Sequence, residues 1–407
     1  MKKILRGALL PVFTLALAGC TLFTFTALEP SAGESRTETA SVTPPPQAQT
    51  QAAVTVTQAK LNEWFPGAPQ NQITVIYVKG ISDFDNAIRT IRNGLTRYYV
   101  LSFDNASIGL NGINSRGSSF ARESGFSPAG TVLYEANETT VVFTGRGELY
   151  LISPGHLINV SRNKTLIIDG DITLRGIQGN NLALVFAGTS VGDISSNGGL
   201  DLRSGTITGN INTEGGGGGV ELQGIGTTFR MSGGAITNNT GISGGGVYIN
   251  RQGGFIMSGG TISGNSAVLN RFGGFGTGTG GGVRFESYWV SEQFPYFTMT
   301  GGTISGNTAV KGGGVCFTTM EGATPFMSSL MIFNKTGGVI YGNDAPAGQR
   351  NTSAEGNTSG HAMIINPIHQ NIYRDTTMNA GETLRIDGVA SQLPMTGAAE
   401  KNGWTRR

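Results

Sequence analysis

Three observations on this sequence predict an all-β fold, a right-handed parallel β-helix. The first is a repeated phrase, Phe-x-Met-x-Gly-Gly-x-Ile-x-x-Asn, at Phe229–Asn239, Phe255–Asn265 and Phe297–Asn307, with looser copies at Leu200–Asn210 and Phe333–Asn343. The second is a companion phrase, Gly-Gly-Gly-Val-x-apolar, closing at Leu222, Ile249, Phe285 and Phe317. The third is the period: Phe229 and Phe255 are 26 residues apart, too short for a helix pair and suited to one solenoid coil. Units of this kind cannot bury an apolar face alone and must stack.

Each part of the repeat has a structural reason. Phe and Met stand two positions apart and point to one side of a strand, as do Val247 with Ile249 and Val283 with Phe285. The Gly-Gly pair supplies a corner where φ can be positive and no Cβ obstructs the neighbouring coil. Asn recurs at Asn210, Asn239, Asn265, Asn307 and Asn343. A short amide tolerates a turn, and coils stacked about 4.8 Å apart would join these residues into a ladder. With 65 Gly in 407 residues a flexible linker is the competing reading. Large apolar residues recurring in register argue against it. A calcium-binding solenoid needs Asp in its turns, and none occurs from Leu202 to Asn343.

These phrases resemble the right-handed parallel β-helix of pectin-lyase-like proteins. More closely, they are similar to the repeat-bearing surface lipoproteins of spirochaete-type bacteria. The resemblance covers about residues 196–345, and Asn159–Gly176 is similar to the early coils of such proteins. It implies either a recognition surface or, as many pectin-lyase-like proteins are, a polysaccharide lyase or glycoside hydrolase.

The front of the chain reads as a targeting segment. Lys2, Lys3 and Arg6 precede the apolar run Ala8–Ala18, which is too short to span a bilayer. Leu17-Ala18-Gly19-Cys20 resembles a bacterial lipobox, which implies that residues 1–19 are removed and that Cys20 carries the lipid. Residues 20–54 are rich in Thr, Ser, Ala, Pro and Gln and read as a disordered tether with a reach on the order of 30 Å. An N-terminal cap and irregular coils follow over 55–195. Regular repeats occupy 196–345, and last coils with a C-terminal cap fill 346–407. Within the cap, Ser82–Gly94 has Phe84, Ala87, Ile88 and Ile91 at helical spacing, with Ser82 as N-cap. The expected location is the bacterial outer membrane or cell surface, held by the lipid, with the periplasmic face as the alternative. Loss of the three leader cations takes the formal charge from +2 to about −1. That leaves no electrostatic case for nucleic acid.

Signals for chemistry are sparse. The acids between Leu202 and Asn343 are Glu214, Glu221, Glu286, Glu292 and Glu321. Gly-His-Gly and Arg-Ile-Lys, expected of a hydrolase by the resemblance, are missing. Asp83, Asp85, Asp104, Asp169, Asp171, Asp193 and Asp201 keep an enzyme reading open in the N-terminal half, with Asp169 and Asp171 placed to share one strand face. His156, His361 and His369 lack metal-ligand spacing, so no metal or cofactor is expected.

One constellation points to recognition. The residue between the inward pair of each Gly-Gly-Gly-Val phrase points away from the core, which stacks Glu221, Tyr248, Arg284 and Cys316 in a column, with Glu286 beside it. Two insertions flank that column. Asn265 to the next Gly-Gly-Gly spans 15 residues where Asn239 spans 5, and Val283 to Phe297 spans 14 where Val247 to Phe255 spans 8. They carry Arg271, Phe272, Phe275, Tyr288 and Trp289, together with Phe294 and Tyr296. Solenoid insertions collect on one face, often the binding face. The expected ligand is a glycan or a protein; the alternatives are an enzyme, a passive envelope component, or aromatics that fold back on the solenoid.

Overall fold

The structure is a computed structural model. It describes residues 55–94, 96–113, 131–133, 138–160, 163–188, 198–250, 253–270, 277–287, 296–319, 330–354, 360–366, 372–389 and 404–406. The proposed leader, Cys20 and the tether lie outside these residues. The chain divides into a leading unit, 1–51, and a second unit, 52–407, to which everything below refers.

Alternation within the repeat makes each copy one coil of a right-handed parallel β-helix. In the coil that begins at Phe229, strands run over Thr228–Met231, Ala235–Thr237, Thr240–Gly241 and Val247–Asn250. Each pairs in parallel with its counterpart in the next coil, so that like meets like: Phe229 with Phe255, Ile236 with Ile262, Val247 with Val283. The result is three long sheets that wrap one apolar core. Phe229 and Phe255 stack with centroids 4.9 Å apart, as do Phe255 and Phe297. Each fully buried aromatic of this kind contributes about 1.5–3 kcal/mol.

The Gly-Gly corner is dictated by sterics. Gly260 has φ +78°, and a Cβ on Gly259 would lie 2.1 Å from the carbonyl oxygen of Ser232 in the preceding coil. One glycine supplies the backbone angle and the other the close approach.

The asparagine ladder runs Asn180–Asn210–Asn239–Asn265–Asn307–Asn351. Nδ2 of Asn239 donates to Oδ1 of Asn265 at 3.1 Å, and the backbone N–H of Asn239 reaches the same oxygen at 3.0 Å. Asn265 and Asn307 repeat both bonds at 3.0 Å. Asn307 closes on Asn351 at 2.9 Å, and Asn180 donates to Asn210 at 2.8 Å. Asn343 is not in the ladder; its N–H donates to the carbonyl of Asp375. The last coil makes an excursion between Ile340 and Asn351, and the following Thr352 pairs with Thr308. The rung belongs to the residue just before that strand, so it falls at Asn351.

The two ends are closed differently. At the N-terminal end α2 (Ile81–Asn93) buries Phe84, Ala87, Ile88 and Ile91 over the first coil. Its N-cap is Gly80, and Ser82 sits inside the first turn; the carboxylate of Asp83 takes the N–H of Lys79 at 2.9 Å. The second helix, α1 (Gln58–Trp64), is not predicted by periodicity. It lays Trp64 and Phe65 against Val100, Val142 and Ile167, on the side of the sheet facing away from the core. At the C-terminal end the parallel order stops. Leu384–Val389 pairs antiparallel with Leu330–Lys335, and Ile372–Arg374 lies antiparallel to both Met363–Asn366 and Trp404–Arg406.

Lys335 occupies the position that Met299 holds one coil earlier and is fully buried. Its ammonium donates to the carbonyls of Asn379 at 2.7 Å and Glu382 at 3.0 Å. Burial lowers its pKa below 10.5; Glu382 opposes that shift and Arg374 adds to it.

Two outcomes follow from this packing. Asn265→Ala strands the N–H of Asn239 and the carbonyl of Ile236, which accepts from Asn265 at 2.9 Å; urea unfolding should show a loss on the order of 3 kcal/mol. For Lys335 the unfolded chain binds more protons than the folded one between the lowered pKa and the ordinary value. Stability therefore rises with pH across that interval. Thermal melts from neutral to alkaline pH should show this rise in the wild type, and the component due to Lys335 should vanish in Lys335→Met.

Candidate functional site

The Gly-Gly-Gly-Val strands bring the predicted column together in register. Glu221 pairs with Tyr248, Tyr248 with Arg284, and Arg284 with Cys316. A second column beside it runs Gln223, Asn250, Glu286 and Thr318. Both point away from the core, as alternation requires.

Pointing away from the core does not expose them. Glu221 is 1% exposed, Tyr248 6%, Arg284 2%, Glu286 7% and Cys316 0%. The reason lies in how the chain enters this face. Ser243, Thr279 and Lys311 join in parallel bridges of their own, forming a lip beside the column. Gly216 also lies flat on Tyr248: a Cβ there would be 2.9 Å from the ring. The glycines that admit the sharp entry also let the backbone fold down over the side chains.

Beneath this lip Tyr248, Arg284 and Glu286 bind one another. The carboxylate of Glu286 accepts from the hydroxyl of Tyr248 and pairs with Nη2 of Arg284 at 3.2 Å. The guanidinium also donates to the hydroxyl of Ser243 and stands 5.4 Å from the centre of the Tyr248 ring. Glu221 accepts from the N–H of Gly217 at 3.4 Å. Burial pushes the Cys316 thiol up, with the charge of Arg284 opposing. Its sulfur lies 3.3 Å from the hydroxyl of Thr318. The arrangement is an internal ion-pair network that braces two successive coils.

Arg271, Phe272, Phe275, Tyr288, Trp289 and Phe294 lie outside the described residues. Tyr296, which follows the second insertion, folds back on the solenoid. Its ring fills the space where a Cβ of Gly254 would stand, and its hydroxyl lies 3.4 Å from that of Thr228.

The N-terminal carboxylates do not assemble. Asp169 accepts from Trp64 Nε1 at 2.7 Å and Lys60 Nζ at 3.1 Å, Asp171 pairs with Arg146 at 2.9 Å, and Asp201 with Arg203 at 2.9 Å. Burial works to raise the pKa of Asp169, but the bonds from Trp64 and Lys60 outweigh it and hold the carboxyl below its ordinary value. Asp169 clasps α1 and Asp171 an adjoining coil, while Arg203 links Asp201 to Glu63 of α1 at 3.3 Å. Asp193 lies outside the described residues. His156 is buried with Nδ1 against the carbonyl of Ala183 at 2.6 Å, and His361 contacts the carbonyl of Asn351 at 3.3 Å. His369 also lies outside. Among the described residues no three His, Cys, Asp or Glu come together as a metal site would need.

No family model matches the chain, no curated protein matches it, and no solved structure matches it.

The buried network makes two predictions. Arg284→Met leaves Glu286 charged and desolvated, at a cost of about 3–5 kcal/mol, whereas Arg284→Met with Glu286→Gln should recover much of the loss; a double-mutant cycle from denaturation measures the coupling. Separately, the thiol of Cys316 should resist a thiol-specific chromophoric reagent in the folded domain and react at once in denaturant.

Proposed function

We propose that this protein is an envelope-anchored bacterial surface lipoprotein whose β-helix serves as a recognition surface for a glycan or a protein. Cys20 would carry the lipid, and residues 21–54 would space the domain from the membrane. The lipobox-like Leu17-Ala18-Gly19-Cys20 supports the anchor. The similarity of the repeats to spirochaete-type surface lipoproteins, within the wider pectin-lyase-like group, supports the same reading.

The observation that carries the recognition reading is the placement of the insertions against the register. Val247, Val283 and Val315 stay in line on the Gly-Gly-Gly-Val face, and Phe255, Phe297 and Phe333 stay in line on the next strand. The coil thus keeps its register although it carries both insertions. In chain order residues 271–276 precede the strand Val283–Ser287 and residues 288–295 follow it; residues 189–197 and 320–329 follow the equivalent strands of two other coils. Long, aromatic and Arg-bearing segments thus flank one strand in the sequence, the arrangement expected of a binding face. The buried Tyr248–Glu286–Arg284 network stiffens that strand. Ligand contact falls to Arg271, Phe272, Phe275, Tyr288 and Trp289, whose rings and guanidinium suit sugars or protein anchors.

The test uses the lipid-free domain on glycan arrays and affinity matrices, together with a depolymerisation screen on acidic and neutral polysaccharides. Retention without turnover is expected, and Trp289→Ala should weaken it at least about ten-fold if the ring is an anchor. Retention indifferent to Trp289→Ala and Arg271→Ala would remove the insertions from the site. Release of unsaturated or reducing ends would replace recognition with catalysis.

A further inference from the structure

An Asn-Gly pair at the N-terminal end of the solenoid is held in a geometry that the recognition reading does not use. Asn111 and Gly112 follow the long strand Tyr98–Leu110, and Ile113 then exchanges backbone hydrogen bonds of 2.9 and 3.0 Å with His156. The turn is pressed against the next coil so closely that a Cβ on Gly112 would lie 2.2 Å from the carbonyl oxygen of Pro154. Between the two coils stands Ser153. Its hydroxyl accepts the N–H of Gly112 at 3.1 Å and donates to Oδ1 of Asn111 at 3.1 Å. One hydroxyl therefore bridges the peptide nitrogen and the side-chain carbonyl that must react with each other for an asparagine to cyclise. A serine hydroxyl can take one proton and give another in the same step. All three residues are half-buried, so water reaches them.

We infer that Asn111-Gly112 is a self-modification site, at which Ser153 promotes deamidation through a cyclic imide. The nitrogen of Gly112 attacks Cγ of Asn111 and forms the new C–N bond. The proton on that nitrogen passes to the Ser153 oxygen as the hydroxyl proton of Ser153 moves to Oδ1. Collapse of the tetrahedral adduct carries the Oδ1 proton to the amide NH₂, breaks that C–N bond and releases ammonia. Solvent water then opens the imide at either carbonyl, leaving aspartate or isoaspartate. Glycine at position 112 puts no Cβ in the way of ring closure, and the pinned turn holds nucleophile and electrophile together. Isoaspartate adds a methylene to the main chain just ahead of Ile113, so the bridge to His156 loses its register.

The experiment follows the full chain at neutral pH by peptide mapping and mass spectrometry, in buffer and in denaturing urea, with Asn93-Gly94 of the same chain as an internal reference. Asn111 should convert faster folded than unfolded. Ser153→Ala should slow the folded reaction about ten-fold, the effect of losing one hydrogen bond to a developing oxyanion, while Ser153→Thr keeps the hydroxyl and the rate. Amide exchange at Ile113 should quicken in the converted fraction. Conversion of Asn111 no faster in the folded chain than in urea overturns the inference. So does an unchanged rate in a Ser153→Ala protein with native circular dichroism. Should that variant not fold, the folded-to-unfolded ratio of the wild type decides alone.

Discussion

Everything in this solenoid depends on in-register parallel stacking, and the asparagine ladder is where that constraint is most demanding. Asn239, Asn265 and Asn307 each bind the next rung through both side chain and backbone N–H, Asn180 through its side chain and Asn210 through its backbone N–H. At Asn265 the same side chain also ties down the carbonyl of Ile236. A buried amide left without such partners costs more than the bond it would make is worth. The ladder therefore penalises any coil that slips, and a slip of one residue would also turn every Phe and Ile from core to solvent. The excursion between Ile340 and Asn351 lengthens its coil, and the rung waits for Asn351.

A stack of identical coils has two exposed ends, and here each is closed by different chemistry. The N-terminal end uses apolar cover, with α2 over the core and α1 against the outer side of the sheet. The C-terminal end uses polarity. Lys335 replaces the methionine of the repeat and carries a charge out of the core to two backbone carbonyls. Arg374 reaches the carboxylate of Glu382 at 2.9 Å, and Asp344 takes both the N–H and the hydroxyl of Thr377. The antiparallel strands laid on this end break the parallel order that would let another chain continue the stack.

On the Gly-Gly-Gly-Val face Tyr248, Arg284 and Glu286 are locked together under the entering backbone and serve rigidity. A rigid floor of this kind suits the recognition proposed above, because the ordering cost of the floor falls on folding and not on binding.

The repeat phrases alone were enough for the fold class, the coil period and the inward positions, because alternation and glycine sterics are local and recur at every coil; helical spacing was enough for the covering helix at Phe84–Ile91. They also place the polar column correctly in register. What they could not carry was depth and exception. The column is buried because backbone from the entry to the same face folds over it, a contact between segments that no spacing rule encodes. The rung moved to Asn351 because pairing with Thr308, a long-range contact, decides where the turn ends; the Asn-Thr dipeptide shared with Asn307-Thr308 was the available clue. Asp169 and Asp171 looked paired by parity, yet cations from α1 and a neighbouring coil claim them separately. Helix α1 lacks a periodic signature because it spans seven residues and fully buries Trp64 alone. Local pattern set the coil; the packing of one coil and its entry segments on another decided which side chains face water.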